Sequence, residues 1–188
     1  MIQVIPARLK SAIMIDDSNA YHQIRASGIR GFSSWLKFYE TVTMILKESF
    51  GAKMHVDFNY YGAVPPKEMN KLLHDRRRDF FNNLRRKGIN IYLGECQMQD
   101  DESYNEKGVD ILLALDIFQF SVYQYHYLII FSGDSDYLPA IERAQRNGSH
   151  VIAILSREVQ AYRISKIVNE IYWLEDIIER MEEKYIIR

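Results

Sequence analysis

The chain of 188 residues is 47% hydrophobic and 26% charged, with a formal net charge of −1 and a single cysteine, Cys96. Those values fit one soluble domain with a substantial core. They exclude a disordered chain, an intrachain disulfide framework and a Cys-rich zinc site. No apolar run approaches the ~20 residues needed to span a bilayer, and Met1 to Lys10 lacks the apolar stretch of a secretory signal, so no membrane association and a cytoplasmic location are expected.

Ser11 to Asp16 (SAIMID) reads as a short buried strand ending in an acid. Asp17 or Ser18 can cap the helix that follows to about Ala26, and Gly28 and Gly31 break it. From Phe32 onward Trp35, Leu36, Tyr39, Val42, Ile45 and Leu46 fall at helical spacing up to Gly51. Met54 to Tyr61 is β-rich and stops at Gly62. Pro65-Pro66 then leads into a helix from about Lys67 that should turn Met69, Leu72, Leu73, Phe80, Phe81 and Leu84 inward, with Gly88 closing it. Ile89 to Gly94 is a third strand, and Cys96 beside it reads as a small buried hydrophobe. Gln97 to Asn105 is polar and acidic, a loop by composition. Glu106 to Val122 reads as a helix and Tyr125 to Phe131 as a fourth strand. Ser132 to Asp136 is a sharp polar turn, followed by a helix to Asn147 that Gly148 stops. Val151 to Leu155 is a fifth strand. Beyond it lie a helical segment near Glu158 to Val168, an extended piece at Glu170 to Trp173, and an amphipathic end. There Leu174, Ile177, Ile178, Met181 and Tyr185 share a face, able to serve as a homodimer surface or, more ordinarily, to pack onto the chain's own sheet.

Alternating β and α elements imply a mostly parallel sheet covered by helices on both faces, with right-handed crossovers. If strands two and three lie on one side of strand one, and four and five on the other, the order is 3-2-1-4-5. The reversal then falls between strands one and four. Ligand sites in open α/β sheets occupy the crevice outside the strands' carboxyl ends at such a reversal. Asp16 ends strand one, and Asp134 and Asp136 follow strand four.

Three clusters carry chemistry: Asp16-Asp17-Ser18-Asn19, Lys107-Gly108-Val109-Asp110 and Ser132-Gly133-Asp134-Ser135-Asp136. Each alone has an ordinary reading, as a helix cap, a dipole-complementing acid or a polar turn. Together they bring carboxylates to one crevice, where their mutual repulsion calls for a counter-ion. Hard divalent cations relieve it: Mg²⁺ prefers oxygen ligands and keeps several waters, and Mn²⁺ suits the same set. Such a metal can activate water and stabilise charge on a phosphodiester. The five histidines show no pairing at metal-ligand spacing, which argues against a zinc hydrolase. Between Lys67 and Lys87 there are eight basic residues against three acidic ones, a local +5. Arg76, Arg77, Arg78, Arg85, Arg86 and Lys87 are therefore the candidates for phosphate contacts, with Arg25 and Arg30 nearer the first acidic motif. Tyr60, Tyr61, Tyr104 and Tyr137 could stack on unpaired bases, although packing is the commoner use of each.

The strings IDDSN (Ile15 to Asn19), EKGVDILLALD (Glu106 to Asp116) and SGDSDYLPAIERAQRNGSHV (Ser132 to Val151) resemble the NYN domain, a member of the PIN-like nuclease group that includes the bacterial LabA-like proteins. The resemblance covers roughly Ser11 to Leu155, and three motifs occur in the family's order and spacing. It implies a single NYN/PIN-like domain over 1–188, with a core of about 11–155 and a C-terminal helical extension of about 156–188. The fold would be a PIN-like three-layer α/β sandwich. The activity implied is a metal-dependent ribonuclease, leaving a 5′-phosphate and a 3′-hydroxyl, with Mg²⁺ or Mn²⁺ held by acidic side chains.

Carried over position by position, Asp16 matches the first-strand acid and Asn19 the polar partner three residues on. Asp110 matches the acid of the KGVD motif, and Asp134 and Asp136 match the pair in SGDSD. These four acids are the expected metal ligands, with Asn19 contacting substrate or a metal water. Asp116 also matches an acid of the pattern, but about 600° of helical rotation separates it from Asp110 and gives it a supporting place. Asp17 stands where the family often has glycine, which leaves its role open. Ser132 and Ser135 could bond a phosphate or a carboxylate, or simply build the turn. RNA is the expected partner, with DNA left open. Two other readings use the same residues: a phosphohydrolase of small nucleotides, and a non-catalytic module binding RNA or protein.

Overall fold

Strand β1 (Leu9–Asp16) is the centre of the computed structural model of the protein, which describes residues 8–51, 53–98 and 104–188. Its last six residues are buried, as a strand covered on both faces requires. It pairs in parallel with β3 (Met54–Ala63) on one side and β6 (Tyr127–Phe131) on the other. Between β1 and β3 the chain forms α1 (Asp17–Ala26), the short β2 (Gly31–Phe32) and α2 (Trp35–Phe50). After β3 come α3 (Lys71–Arg86), β4 (Asn90–Met98), β5 (Tyr104–Lys107) and α4 (Val109–Val122). A 3₁₀ turn (Ser135–Tyr137) follows β6, then α5 (Leu138–Arg146), β7 (His150–Leu155), α6 (Tyr162–Ile167), β8 (Glu170–Trp173), α7 (Leu174–Arg180) and β9 (Ile186–Ile187).

The main sheet runs β5-β4-β3-β1-β6-β7-β8, parallel except where β5 returns antiparallel to β4. Its five inner strands stand in the order expected from the sequence, and the reversal falls between β1 and β6. Two edge strands extend it. Alternate residues of β1 serve opposite faces. Ile13 and Ile15 join a core with α1, α2, α3 and α7, while Ala12 and Met14 join another with α4, α5 and α6. A separate antiparallel pair, β2 with β9, closes over the α1–α2 connection. Among the described residues no helix is long and apolar enough to cross a membrane.

Several expectations need correction. The stretch from Gln97 to Asn105 is not simply a loop: β4 continues to Met98 and β5 begins at Tyr104, while 99–103 lie outside the described residues. Cys96 is therefore a strand residue, half-buried, with its thiol pushed up by burial and by the Glu106 charge. Glu106 and Lys107 belong to β5 rather than to a helix. The left-handed Gly108 (φ +78°) separates that strand from α4. Helix α3 starts at Lys71, capped by the Asn70 side chain, which leaves Leu72 on the outward side of the first turn and 62% exposed. The segment after Leu155 is more than a helical extension, since β8 pairs with β7 in the main sheet. Leu174, Ile177 and Ile178 are buried in the chain's own core, so that stripe does not present a homodimer surface.

Candidate functional site

A cavity of about 400 Å³ opens at the carboxyl end of β1, beside the reversal. Asp16, Glu106, Asp110 and Asp134 supply four carboxylates to its lining, with Ser18 and Tyr137 between them. They come from four places in the chain: the end of β1, β5, the first turn of α4 and the turn after β6. Three of the four were expected. Glu106 was not, because the short polar strand that carries it has no apolar alternation to reveal it.

Asp16 is almost fully buried and accepts four hydrogen bonds. Its Oδ1 receives the Asn19 backbone N–H (3.3 Å) and the Ser18 hydroxyl (3.2 Å), and its Oδ2 receives the hydroxyls of Ser132 (3.1 Å) and Tyr137 (2.9 Å). Burial raises its pKa, and these donors, Tyr137 foremost, oppose the rise. Glu106 is also raised, chiefly by burial and then by the Asp17 charge, with Arg77 acting against both. Two carboxyls in one cavity thus hold their charge at a cost that a cation would remove. Among the described residues no group of three or more His, Cys, Asp or Glu side chains is close enough together to hold a metal ion. An all-oxygen donor set in a roomy cavity nevertheless fits Mg²⁺ or Mn²⁺, which bind partly through retained waters.

Local structure explains the placement. The Ser132 hydroxyl that donates to Asp16 also accepts the Asp134 backbone N–H (3.2 Å). Asp134 in turn caps the 3₁₀ turn by accepting the Asp136 backbone N–H (2.9 Å). Gly94 lets β4 close on the β5–α4 connection: a Cβ there would stand 2.5 Å from the Lys107 carbonyl oxygen and 2.7 Å from Val109 Cγ2. That close approach sets both Glu106 and Asp110.

The other predicted residues are placed differently. Asp136 is exposed and does not line the cavity. Asn19 does not line the cavity, and its Oδ1 accepts the Gly133 backbone N–H and the Gln23 side-chain amide, each at 2.8 Å. Gln23 Oε1 accepts the Ser156 backbone N–H at 2.7 Å, so one pair of amides on α1 ties down the turns after β6 and β7. Asp116 lies on another side of α4, where it accepts the Tyr61 hydroxyl at 2.7 Å. Ser135 is half-buried in the 3₁₀ turn.

Asp17 is paired with Arg77 and also accepts the Tyr60 hydroxyl. The Arg77 guanidinium lies over the Phe81 ring at 4.6 Å and donates to the Ala63 carbonyl, so it is held in the fold and not free on the surface. Arg76, Arg78, Arg85 and Arg86 are exposed and Lys87 is half-buried at the α3 C-cap, but none of these five lines the acidic cavity. Tyr60, Tyr61 and Tyr137 are buried, each with its hydroxyl engaged by a carboxylate, and cannot stack on a base. The side chain of Tyr104 lies outside the described residues.

The family model described as "NYN domain" matches residues 10–174, continuing past Leu155 to the start of α7. A crystal structure of a protein of unknown function from Vibrio parahaemolyticus superposes with a TM-score of 0.68 at 17% identity, over 97% of this chain and 98% of that one. That likeness concerns the fold. No curated protein matches the chain.

Proposed function

The chain belongs to the NYN domain family, whose fold is the PIN-like nuclease fold, and we propose that it is a metal-dependent ribonuclease whose active site is the acidic cavity at the end of β1. The observation that carries this reading is the convergence of Asp16, Glu106, Asp110 and Asp134, drawn from four segments, on one cavity. Such a set has little structural use by itself, since burial works against the charge of two of its members. These four carboxylates would hold Mg²⁺ or Mn²⁺. The bound ion would supply the positive charge that a phosphodiester needs and make a water acidic enough to attack.

The chain's own groups do the rest. Ser132 and Tyr137 fix the orientation of the Asp16 carboxylate at the cavity wall. Asp134 is aimed by a turn whose backbone is bonded at both ends. Asp136 and Asn19 act at a distance in this reading, Asn19 by holding the Gly133 backbone.

The test is cleavage of labelled single-stranded RNA in Mn²⁺, Mg²⁺ or EDTA, beside a mononucleotide substrate and the Asp134→Asn variant. Metal-dependent cleavage of RNA that the variant lacks is expected. Equal turnover in EDTA would overturn the reading, and turnover of the mononucleotide alone would redirect it to small phosphoesters.

A further inference from the structure

Beside the acidic cavity lies a second one, of about 460 Å³, and the two share Ser18 and Glu106. Its walls are of another kind. Tyr21 and His22 from α1 face it from one side, with Pro65 and Leu73 from the β3–α3 connection and α3, while the Asp17–Arg77 pair lines it as well. Tyr21 is 56% exposed although it is a large aromatic, and its ring meets His22 edge-on at 5.8 Å between centroids. Of the tyrosines expected from the sequence to stack, Tyr60, Tyr61 and Tyr137 are buried. Among the described residues Tyr21 is an accessible tyrosine beside the acids.

We propose that this second cavity is a nucleobase subsite, in which an unpaired base next to the scissile phosphate stacks on Tyr21. The inference rests on the nuclease reading of the acidic cavity and deepens it by assigning a base contact to Tyr21. Concave sites with mainly apolar walls and a few fixed polar groups are those that hold flat organic ligands, and ~300–1,000 Å³ is their usual size. A strand whose phosphate lies among the four carboxylates can leave past Ser18 and Glu106, which the two cavities share. The adjoining nucleotide is thereby brought to Tyr21. Bases in a duplex are held in the stack and cannot turn into such a cavity without being extruded, whereas bases of a single strand can.

Binding, measured apart from cleavage, tests it. The full chain with Mg²⁺ is titrated into a fluorescent, hydrolysis-resistant single-stranded RNA, the same strand with one abasic position next to the resistant linkage, and a duplex. Tyr21→Ala should weaken binding of the intact single strand about tenfold, while Tyr21→Phe, which keeps the ring, should bind as the unaltered protein does. The abasic strand should bind the unaltered protein more weakly by a similar factor and lose little further in Tyr21→Ala, the signature of one shared contact. Duplex affinity should not move. Tyr21→Ala binding the intact strand as tightly as the unaltered protein, or losing single strand and duplex alike, would overturn the subsite. Failure of wild-type cleavage beside intact Tyr21-dependent binding would instead count against the nuclease reading alone.

Discussion

The hydroxyl of Tyr137 donates to the Asp16 carboxylate across 2.9 Å, joining the carboxyl end of β1 to the turn that begins after β6. Both groups are buried, so the bond links the two segments on either side of the sheet's reversal and orients the acid at its centre. Removing the hydroxyl in Tyr137→Phe takes one of four donors from a buried carboxylate. The loss should cost about 1.5–3 kcal/mol, read as a lower urea midpoint with an unchanged slope. A midpoint equal to that of the unaltered protein would show that the bond is not formed in solution.

Asp16 itself should weaken the fold at neutral pH in the absence of metal. Its folded pKa is raised by burial, so the folded state holds the proton more tightly than the unfolded chain does. Stability is therefore lost as pH climbs through the folded value and is regained as pH falls toward the ordinary value of 3.8. Asp16→Asn, measured by thermal unfolding in EDTA, should show a higher Tm than the unaltered protein at neutral pH, and the gap should narrow on acidification. A gap that widens toward acid would reverse the sign of the shift.

Glu106 and Asp136 make a contrasting pair. Glu106 lines the acidic cavity, whereas Asp136 is exposed outside it. Glu106→Gln should lower RNA cleavage or metal affinity by roughly 10- to 100-fold, and Asp136→Asn should leave both within about threefold of the starting value. Cleavage rates across a Mn²⁺ titration measure both, and the opposite ranking would return Asp136 to the site.

Arg77 should prove structural. It is held by Asp17, by the Ala63 carbonyl and by the Phe81 ring. Arg77→Ala would leave the Asp17 carboxylate, itself only 14% exposed, without its cation. A stability loss on the order of 2–3 kcal/mol is expected, below the cost of breaking a fully buried pair. Asp17→Asn in the same chain should recover part of it. An unchanged melting temperature beside a shallower salt dependence of RNA binding would make Arg77 a phosphate contact instead.

Gly94→Ala tests how the acidic cavity is shaped. The added methyl would meet the Lys107 carbonyl, which is backbone and cannot rotate away. Relief requires β5 to move, taking Glu106 with it. A loss of about 1–3 kcal/mol is expected, with cleavage falling further than the folded fraction does.

How far the sequence spoke depended on how the information was written. Strands such as Ala12–Ile15 and Val151–Leu155 are unbroken apolar runs, legible because both faces of the sheet are covered. The β/α alternation gave the parallel sheet, while the order of its inner strands, conditional in the sequence on how the others flank strand one, is the one the sheet adopts. Asp16 and Asp134 were legible because they stand at the ends of strands flanking the reversal, and Asp110 through the KGVD motif of the family resemblance. What stayed hidden depends on tertiary pairing. Strand β5 exists because β4 offers it an edge, so Glu106 could not be seen from its neighbours. The tyrosine hydroxyls of Tyr60, Tyr61 and Tyr137 find carboxylates far away in the chain, a match that no local pattern contains. Arg77 sits in a run of three arginines that look alike on paper, and only α3's orientation against Asp17 separates it from Arg76 and Arg78.

The amides of Asn19 and Gln23 have a practical corollary for exchanging parts between relatives. A strand-to-helix segment bearing Asp134 cannot be moved as a self-contained cassette, because its Gly133 backbone is moored to an amide on a different helix. A chimera that imports the segment without its matching α1 residues would inherit the acids but not their alignment, and transplanting both together is the way to carry the chemistry across.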